Sequence, residues 1–345
     1  MSDVDQERTR PEIEPGQEVE IGLFRPQDAP GVAALFRAVY GQGYPVKVYY
    51  QPDQLSAAVE RGDIIQVVAR TPRGEVVGVE NMFVSAPFKG VLEMGAGLVA
   101  LAYRNRGLSK DMNRYLMDEV IPLKNVPMTF GEPVCNHIYQ QKARDALGYV
   151  ATALEVDLMP AAAYSQEKSA TGRVAALMSF KGYEPGFHAV YLPPRYAQAL
   201  GDIYAGTDLR RDFMEGDSAA GLHGRTVINS QVFDFAQVAR VAVPEIGADL
   251  EPRLDELLSG LRAQDVEVIQ AWLPLASPLA AAAVEILRVR GFFLGGVLPR
   301  WFDQDGLLMQ KTAGQPDWQG IKVYGQQSER IFQLVRQDWR AMGRS

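Results

Sequence analysis

Val99-Ala-Leu-Ala-Tyr-Arg-Asn-Arg-Gly-Leu-Ser109 decides how this chain is read, because an apolar strand runs directly into a compact Arg-x-x-Gly-x-Ser turn that opens a helix. Backbone N–H groups at a helix N-terminus lack intrahelical acceptors and carry partial positive charge, so such a turn is ready for an anion. Gly107 lets a phosphate approach the backbone closely, and Arg104 and Arg106 add charge beside it. The plainer reading of the same residues is a tight strand-to-helix connection whose glycine serves packing. The strand leading in, over residues 91–101, carries Gly95 and Gly97, the pattern of a strand that bulges or admits a close ligand. The helix leading out, over about 108–120, places Met112, Leu116 and Val120 at helical spacing.

Upstream, residues 1–19 are rich in Glu, Arg, Pro and Gln and are expected to form a mobile leader. A strand over 20–24 and a turn at Pro26-Gln27-Asp28 lead to a helix with Val32, Leu35, Phe36 and Val39 on one face. Tyr40, Tyr44, Tyr49 and Tyr50 populate the next loop. A second helix over 52–61 precedes strands over 64–70 and 75–85, joined at Pro72-Arg73-Gly74 as a hairpin. Downstream come a weak strand over 129–133, a helix over 136–147 and a strand over 148–159.

The turn and this order of elements together resemble the GNAT superfamily of N-acetyltransferases, whose acyl-CoA-binding segment reads Gln/Arg-x-x-Gly-x-Gly/Ala after a strand and before a helix. Arg104, Gly107 and Ser109 fall on its fixed positions. The resemblance implies an α/β (α+β) fold, a mixed, mostly antiparallel sheet flanked by helices, in a catalytic domain over residues 20–160. It implies acetyl-CoA or another acyl-CoA as co-substrate and direct transfer of the acyl group to an amine. Leu98, Val99 and Leu101 then lie along the pantetheine and thioester, and Arg104, Asn105, Arg106, Gly107, Leu108 and Ser109 take the phosphates. Asn105 stands where many relatives have a second Gly, and Leu101 where many have Pro.

Acyl transfer needs a base, and family members often place a carboxylate on the strand before the turn. Glu93 occupies that strand on one face with Gly95, Gly97 and Val99. Glu80, on the preceding strand, competes for the role, and either one is equally readable as a solvated strand carboxylate. The acid in many relatives is a Tyr on the closing helix; here that position is Arg144, which cannot donate a proton near neutral pH but can hold a thiolate or a phosphate. Tyr139 lies on another face of the helix, and His137 falls where relatives often have a CoA-contacting Asn. His137 is a catalytic candidate on that ground and a structural hydrogen-bonder on the bland one. Cys135 is read as a packed, inert thiol rather than a nucleophile. The four tyrosines suit either a wall for a cationic or flat acceptor or simple lid packing.

The remaining chain is read as a structured bridge over 161–225, a degenerate GNAT-like domain over 226–313, and a C-terminal strand (321–324) and helix (328–339) within 314–345. The first and second units close alike, on Ala146-Leu-Gly-Tyr149 and Val289-Arg-Gly-Phe292. After Val243, however, the chain reads Pro-Glu-Ile-Gly-Ala-Asp-Leu-Glu-Pro, with acidic residues where phosphates would sit. One CoA per chain is therefore expected. The 345 residues, 47% hydrophobic and 22% charged, suffice for two domains, and the net charge of −7 and pI near 5.2 speak against a broad nucleic-acid surface. No apolar run reaches the length of a membrane span, and with one cysteine and three histidines a Cys/His structural zinc site is not expected. The expectation is a cytoplasmic monomer or homodimer with no metal, no nucleic acid and no membrane partner, acting on a small-molecule or peptide amine. The alternatives are a non-catalytic acyl-CoA sensor or assembly module and a nucleotide-phosphate enzyme, the last lacking both a Walker loop and a dinucleotide Gly-x-Gly-x-x-Gly run.

Overall fold

The computed structural model describes residues 13–44, 46–161, 172–184 and 186–343. Most of the expected leader and residues 162–171 of the expected bridge lie outside the described residues. The chain parts into two compact units, Met1–Val84 with Glu93–Val126, and Ser85–Leu92 with Pro127–Ser345. Both mix α and β, as expected.

In unit one, β1 (Glu20–Leu23) is followed by α1 (Ala29–Tyr40), α2 (Pro52–Glu60), β2 (Ile64–Arg70), β3 (Val76–Val84) and β4 (Val91–Val99). The strands lie in the order β1-β2-β3-β4, with β1/β2 and β2/β3 antiparallel. The apolar face read into α1 is the one it buries: Val32, Leu35 and Phe36 pack with Leu55, Val68, Val79 and Leu98. The start of α1 is tied to β2 by a buried ion pair, in which Arg70 Nε donates to Asp28 Oδ1 at 2.7 Å. The helix after the turn runs as α3 (Leu108–Tyr115), then as a π-turn over Leu116–Val120, then as α4 (Ile121–Lys124). Pro122 forces this change, because it has no N–H to give the carbonyl four residues back and its ring crowds that carbonyl.

Unit two contains β5 (Met128–Gly131), α5 (Tyr139–Ala146), β6 (Val150–Met159), β7 (Val174–Gly182), β8 (His188–Leu192), α6 (Ala197–Tyr204), β9 (Arg211–Glu215) and β10 (Val227–Phe233). It continues with β11 (Val238–Glu245), α7 (Leu250–Arg262), β12 (Val268–Pro274), α8 (Ala280–Val289), β13 (Phe293–Leu298), β14 (Gly306–Thr312) and α9 (Gln326–Ala341). Its strands lie in the order β5-β7-β6-β13-β14-β12-β11-β10, with β8 and β9 as a separate parallel pair. Part of the expected bridge thus forms β7, a full sheet strand between β5 and β6. The short strand expected over 321–324 does not form: Lys322 N–H bonds Cys135 O and Tyr324 N–H bonds Gln141 Oε1, so neither amide is left for a ladder.

Two stretches of unit two repeat one another residue by residue. In each, strand, helix and strand are followed by a hairpin strand that inserts between the first two: β5-α5-β6-β7 and β12-α8-β13-β14. In the first, Ala151 pairs Ser179 and Ala153 pairs Met178, with Thr152 bulged out; in the second, Leu294 pairs Met309 and Gly296 pairs Leu308, with Gly295 bulged out. The outer pairings follow suit, Met128↔Gly182 matching Val268↔Thr312. Where the repeats meet, β6 and β13 pair at Ala153↔Gly296, the residue after the bulge in each copy. Like meets like, as a local two-fold axis requires.

Two buried carboxylates in this unit titrate in opposite directions. Burial alone would raise Asp305, but His188 and the paired nitrogens of Arg211, with Nε at 2.7 Å, hold its carboxyl down to about 2. Asp157 is pushed up to about 6, first by burial, against the opposing pull of the Asp317 amide and Arg173. The stabilisation from Asp305 is therefore complete above about pH 4 and is lost as pH falls toward 2, whereas Asp157 favours the fold at low pH and withdraws that support as pH rises from 4 through 6. Asp305→Asn is expected to cost on the order of 2–3 kcal/mol at pH 7 and to flatten the acid limb of a urea-unfolding series. Asp157→Asn is expected to raise the melting temperature at pH 7.5 and leave it nearly unchanged at pH 4; equal shifts at both values would reject the assignment.

Candidate functional site

The expected anion turn sits in unit one. The chain leaves β4, passes Leu101, which is 79% exposed, and reverses through Asn105 (φ 60) and Gly107 (φ 80) into α3. The left-handed φ at Gly107 is what its missing Cβ permits, and Asn is the side chain that tolerates the same region at 105. Among the described residues, the amides of Asn105, Arg106, Gly107, Leu108, Ser109 and Lys110 have no acceptor; the first helical amide in use is that of Asp111, bonded to Gly107 O at 3.0 Å. Leu108 is buried beneath the turn, while Arg104, Asn105, Arg106 and Ser109 are exposed around it. Six free N–H groups on a helix N-terminus between two exposed arginines can take a pyrophosphate.

Each arginine is already oriented. Arg104 folds back so that Nε donates to Val99 O at 3.1 Å, and Arg106 lies over the Tyr103 ring, 6.0 Å from its centroid. Tyr103 in turn donates its hydroxyl to Glu14 O at 2.7 Å. Residues 14–17 of the expected leader therefore dock beside the turn, with Gln17 Nε2 bonded to Glu75 Oε2 at 3.3 Å.

The strand before the turn is irregular between its two glycines. Ala96 adopts φ 54, and its carbonyl accepts from Asn81 Nδ2 at 3.0 Å. Asn81 is itself held by Gln66 Nε2, at 2.6 Å, and both amides are buried. These two residues were missed in the sequence; a pair of carboxamides within otherwise apolar strands is the signal that marks them. Leu98 is buried and Val99 half-buried at the end of the strand.

Glu80 and Glu93 both reach this region of β4. The Glu80 carboxylate, 5% exposed, lies on Gly97: a Cβ there would stand 2.4 Å from Oε2. Asn113 Nδ2 donates to the same oxygen at 3.1 Å and to Ser109 O at 2.8 Å, which links the carboxylate to the first turn of α3. Glu93 is half-buried and leans toward Gly95, with Oε1 3.7 Å from where a Cβ would be. The tyrosines form one cluster on Phe36, Tyr49 stacked on it at 4.5 Å and Tyr44 tilted at 5.0 Å. Burial is the main cause raising the Tyr44 and Tyr49 phenols; Glu93 adds to both and Glu80 to Tyr49.

The other candidates belong to unit two. Cys135 is fully buried, and burial pushes its thiol up, away from nucleophilic use. The sequence expects His137 within a helix over 136–147, but it precedes α5; its ring lies 5.3 Å from that of Tyr139, and its Nδ1 is buried without a hydrogen-bond partner. Gln141 is a structural clasp, its Nε2 within 3.1 Å of Val134 O and His137 O and 2.8 Å from Lys322 O. The Arg144 guanidinium rests over Tyr149 at 5.2 Å and against Gly131. Tyr139 is exposed.

Compared with known proteins, the chain matches no family model and no curated sequence. Solved structures of GNAT-family N-acetyltransferases match it over about half its length. A ribosomal-protein-S5-alanine acetyltransferase from Vibrio fischeri is 12% identical, covering 49% of this chain and 95% of its own, with a TM-score of 0.39. An N-acetyltransferase from Staphylococcus aureus is 13% identical over 49% of this chain and all of its own, also at 0.39. A GNAT family N-acetyltransferase from Escherichia coli, solved in complex with CoA, is 18% identical over 40% of this chain and 72% of its own, at 0.30.

The contact of Glu80 with Gly97 is directly testable. Gly97→Ala is expected to cost about 1–3 kcal/mol by denaturant unfolding, because the new methyl displaces a buried carboxylate. In a Glu80→Ala background the same change is expected to cost less by at least about 0.5 kcal/mol. Additive losses would show that the two positions do not press on one another.

Proposed function

We propose that unit one binds an acyl-CoA, acetyl-CoA or another, through the turn at residues 104–109 and transfers its acyl group to an amine by direct attack. The observation that carries this reading is the row of six unpartnered amides entering α3 directly after an irregular strand. The amides and the Arg104 and Arg106 guanidiniums hold the pyrophosphate, while Leu98, Val99 and Leu101 line the path of the pantetheine. A strand amide near the irregular backbone at Ala96 polarises the thioester carbonyl in this reading. A carboxylate beside that backbone takes the ammonium proton; Glu93 is the candidate from the sequence, and Glu80 adjoins the same backbone.

The second repeat, within 226–313, is proposed as a GNAT-like copy that binds no CoA. Its turn after β11 is filled by the chain itself: Gly247 N–H bonds Thr226 Oγ1 at 3.0 Å, Ala248 N–H bonds Gly224 O at 3.1 Å, and Asp249 accepts the Thr226 amide at 2.6 Å. The amides of Gly247 and Ala248 are thereby taken, and the nearby Asp249 and Glu251 carboxylates would repel a phosphate. No described helix is long and apolar enough to cross a membrane, and the proposed setting is the cytoplasm, as monomer or homodimer, with a small-molecule or peptide amine as acceptor.

Arg144 favours one second reading, a non-catalytic acyl-CoA sensor, since that position holds a proton donor in many of the family's members and an arginine cannot serve. His137 and Arg144 remain candidates on the family resemblance alone. Calorimetry with CoA is expected to give one site per chain, and Gly107→Val, which puts a branched side chain at a left-handed φ in the cradle, to abolish it. Unchanged affinity in that variant would overturn the site. Release of free thiol from acetyl-CoA with an amine panel separates transfer from sensing.

A further inference from the structure

In unit two, the loop between β14 and α9 and the last turns of α9 border a cavity of about 440 Å³, within the range of small-molecule sites. Pro316, Asp317 and Trp318 line it from the loop, and Arg336, Trp339 and Arg340 from the helix. The loop is held in shape by its own bonds. Asp317 Oδ1 accepts Gly320 N–H at 3.0 Å, Trp318 N–H bonds Pro316 O at 2.9 Å, and Asp317 N–H bonds Asp157 Oδ1 at 3.4 Å. The two tryptophans meet edge to face with ring centroids 5.5 Å apart, and both are more than nine-tenths buried.

The polar groups of this wall are one-sided. Trp318 Nε1, Trp339 Nε1 and Arg336 Nε are buried donors without an acceptor, a deficit that folded proteins rarely leave. Arg336 is half-buried over the Phe332 ring, 5.8 Å from its centroid, and Arg340 follows one turn later on the same helix face. Among the described residues neither guanidinium has a carboxylate partner or a hydrogen bond, and like charges at this spacing repel. The dipole at the end of α9 accounts for Arg340 but not for a second, half-buried arginine a turn earlier. Asp317 is the acid in the wall, and its carboxylate is turned to the loop backbone. Two guanidiniums against one carboxylate leave a single positive charge in excess. Because the amides of Asp317, Trp318 and Gly320 are already bonded, the donors on offer are side chains, unlike the amide row before α3.

We propose that this cavity binds a planar aromatic monocarboxylate, its carboxylate across Arg336 and Arg340 and its ring against Trp318 and Trp339. A guanidinium takes a carboxylate through two parallel N–H bonds, and one negative charge matches the one in excess. Indoles pack other aromatic rings offset or edge-on, so a flat ring fits where an aliphatic chain would forgo that contact. Asp317 disfavours a dianion such as phosphate. The site lies within unit two and stands whether or not unit one transfers acyl groups.

The test is a titration of the full chain with 2-naphthoate, followed by calorimetry and by the indole N–H signals of the four tryptophans in ¹⁵N-labelled protein. Binding with a Kd below about 1 mM is expected. The signals of Trp318 and Trp339, assigned with Trp318→Phe and Trp339→Phe, are expected to shift, while those of Trp272 and Trp301, which pack in a different cluster, stay in place. 2-Naphthylmethanol, the same ring without the charge, and inorganic phosphate are each expected to bind at least about tenfold more weakly. Arg336→Gln and Arg340→Gln are each expected to weaken naphthoate binding about tenfold, with melting temperature reporting that the variants are folded. The comparison of acid with alcohol is made on the wild type and needs no variant. Naphthoate that shifts neither Trp318 nor Trp339, or alcohol or phosphate that binds as tightly as the acid, overturns the proposal.

Discussion

One hydrogen bond, from Asn81 Nδ2 to Ala96 O, governs the geometry of unit one's site. A non-glycine residue at positive φ costs roughly 1–2 kcal/mol, so the irregular backbone at Ala96 needs a fixed donor for its carbonyl to persist. Asn81 supplies it from β3, and Gln66 on β2 keeps the Asn81 amide from rotating. That irregularity then determines which face Gly97 presents, and Gly97 determines where the Glu80 carboxylate rests. Through Asn113 that carboxylate is tied to Ser109 O, one residue into the turn that starts α3. Strand irregularity, buried acid and anion turn are thus successive links of one chain of polar contacts.

Two strand-to-helix turns, those before α3 and α7, show what makes such a turn a site. Both begin a helix, and by dipole alone both would attract an anion. The turn before α3 keeps six consecutive amides without acceptors; at the turn before α7 the Gly224 carbonyl and the Thr226 hydroxyl have taken those of Ala248 and Gly247. Asp249 completes that filling by accepting the Thr226 amide, and the same contact holds its carboxyl below the usual range. The acid that repels phosphate there is also the residue that fastens the plug.

The local periodicities of the sequence carried most of the element order, because α1, α7 and α9 each bury one apolar stripe and the β2–β3 hairpin announces its turn. The turn before α3 was legible for the same reason: its Gly, its arginines and its position are local facts. Sheet membership was not. The run from Val174 looks like any short strand, and only the long-range pairing with β5 and β6 makes it the strand between them. The residues at 321–324 have strand-like composition, yet Gln141 and Cys135 claim their backbone. Asn81, Gln66 and Asn113 escaped notice because each acts through a partner distant in sequence, and no spacing rule connects them.

The meeting of β6 and β13 explains why unit two carries so much buried polarity. The two strands pair at Ala153 and Gly296 and then diverge, since a Cβ at Gly296 would lie 2.4 Å from Thr152 O and the neighbouring bulges turn the backbone away. Divergence would strand backbone groups in the interior. Gln310 on β14 meets that need: its Oε1 accepts Val156 N–H at 2.8 Å, and its Nε2 donates to Leu154 O at 2.9 Å and Leu294 O at 3.3 Å. One side-chain amide therefore replaces ladder bonds to both repeats at once. Thr152 Oγ1, donating to Val297 O at 2.7 Å, does the same at the bulge. A buried glutamine in a strand looks like a defect in an apolar pattern; here it is the piece that lets two copies of one hairpin share a sheet without an unsatisfied seam.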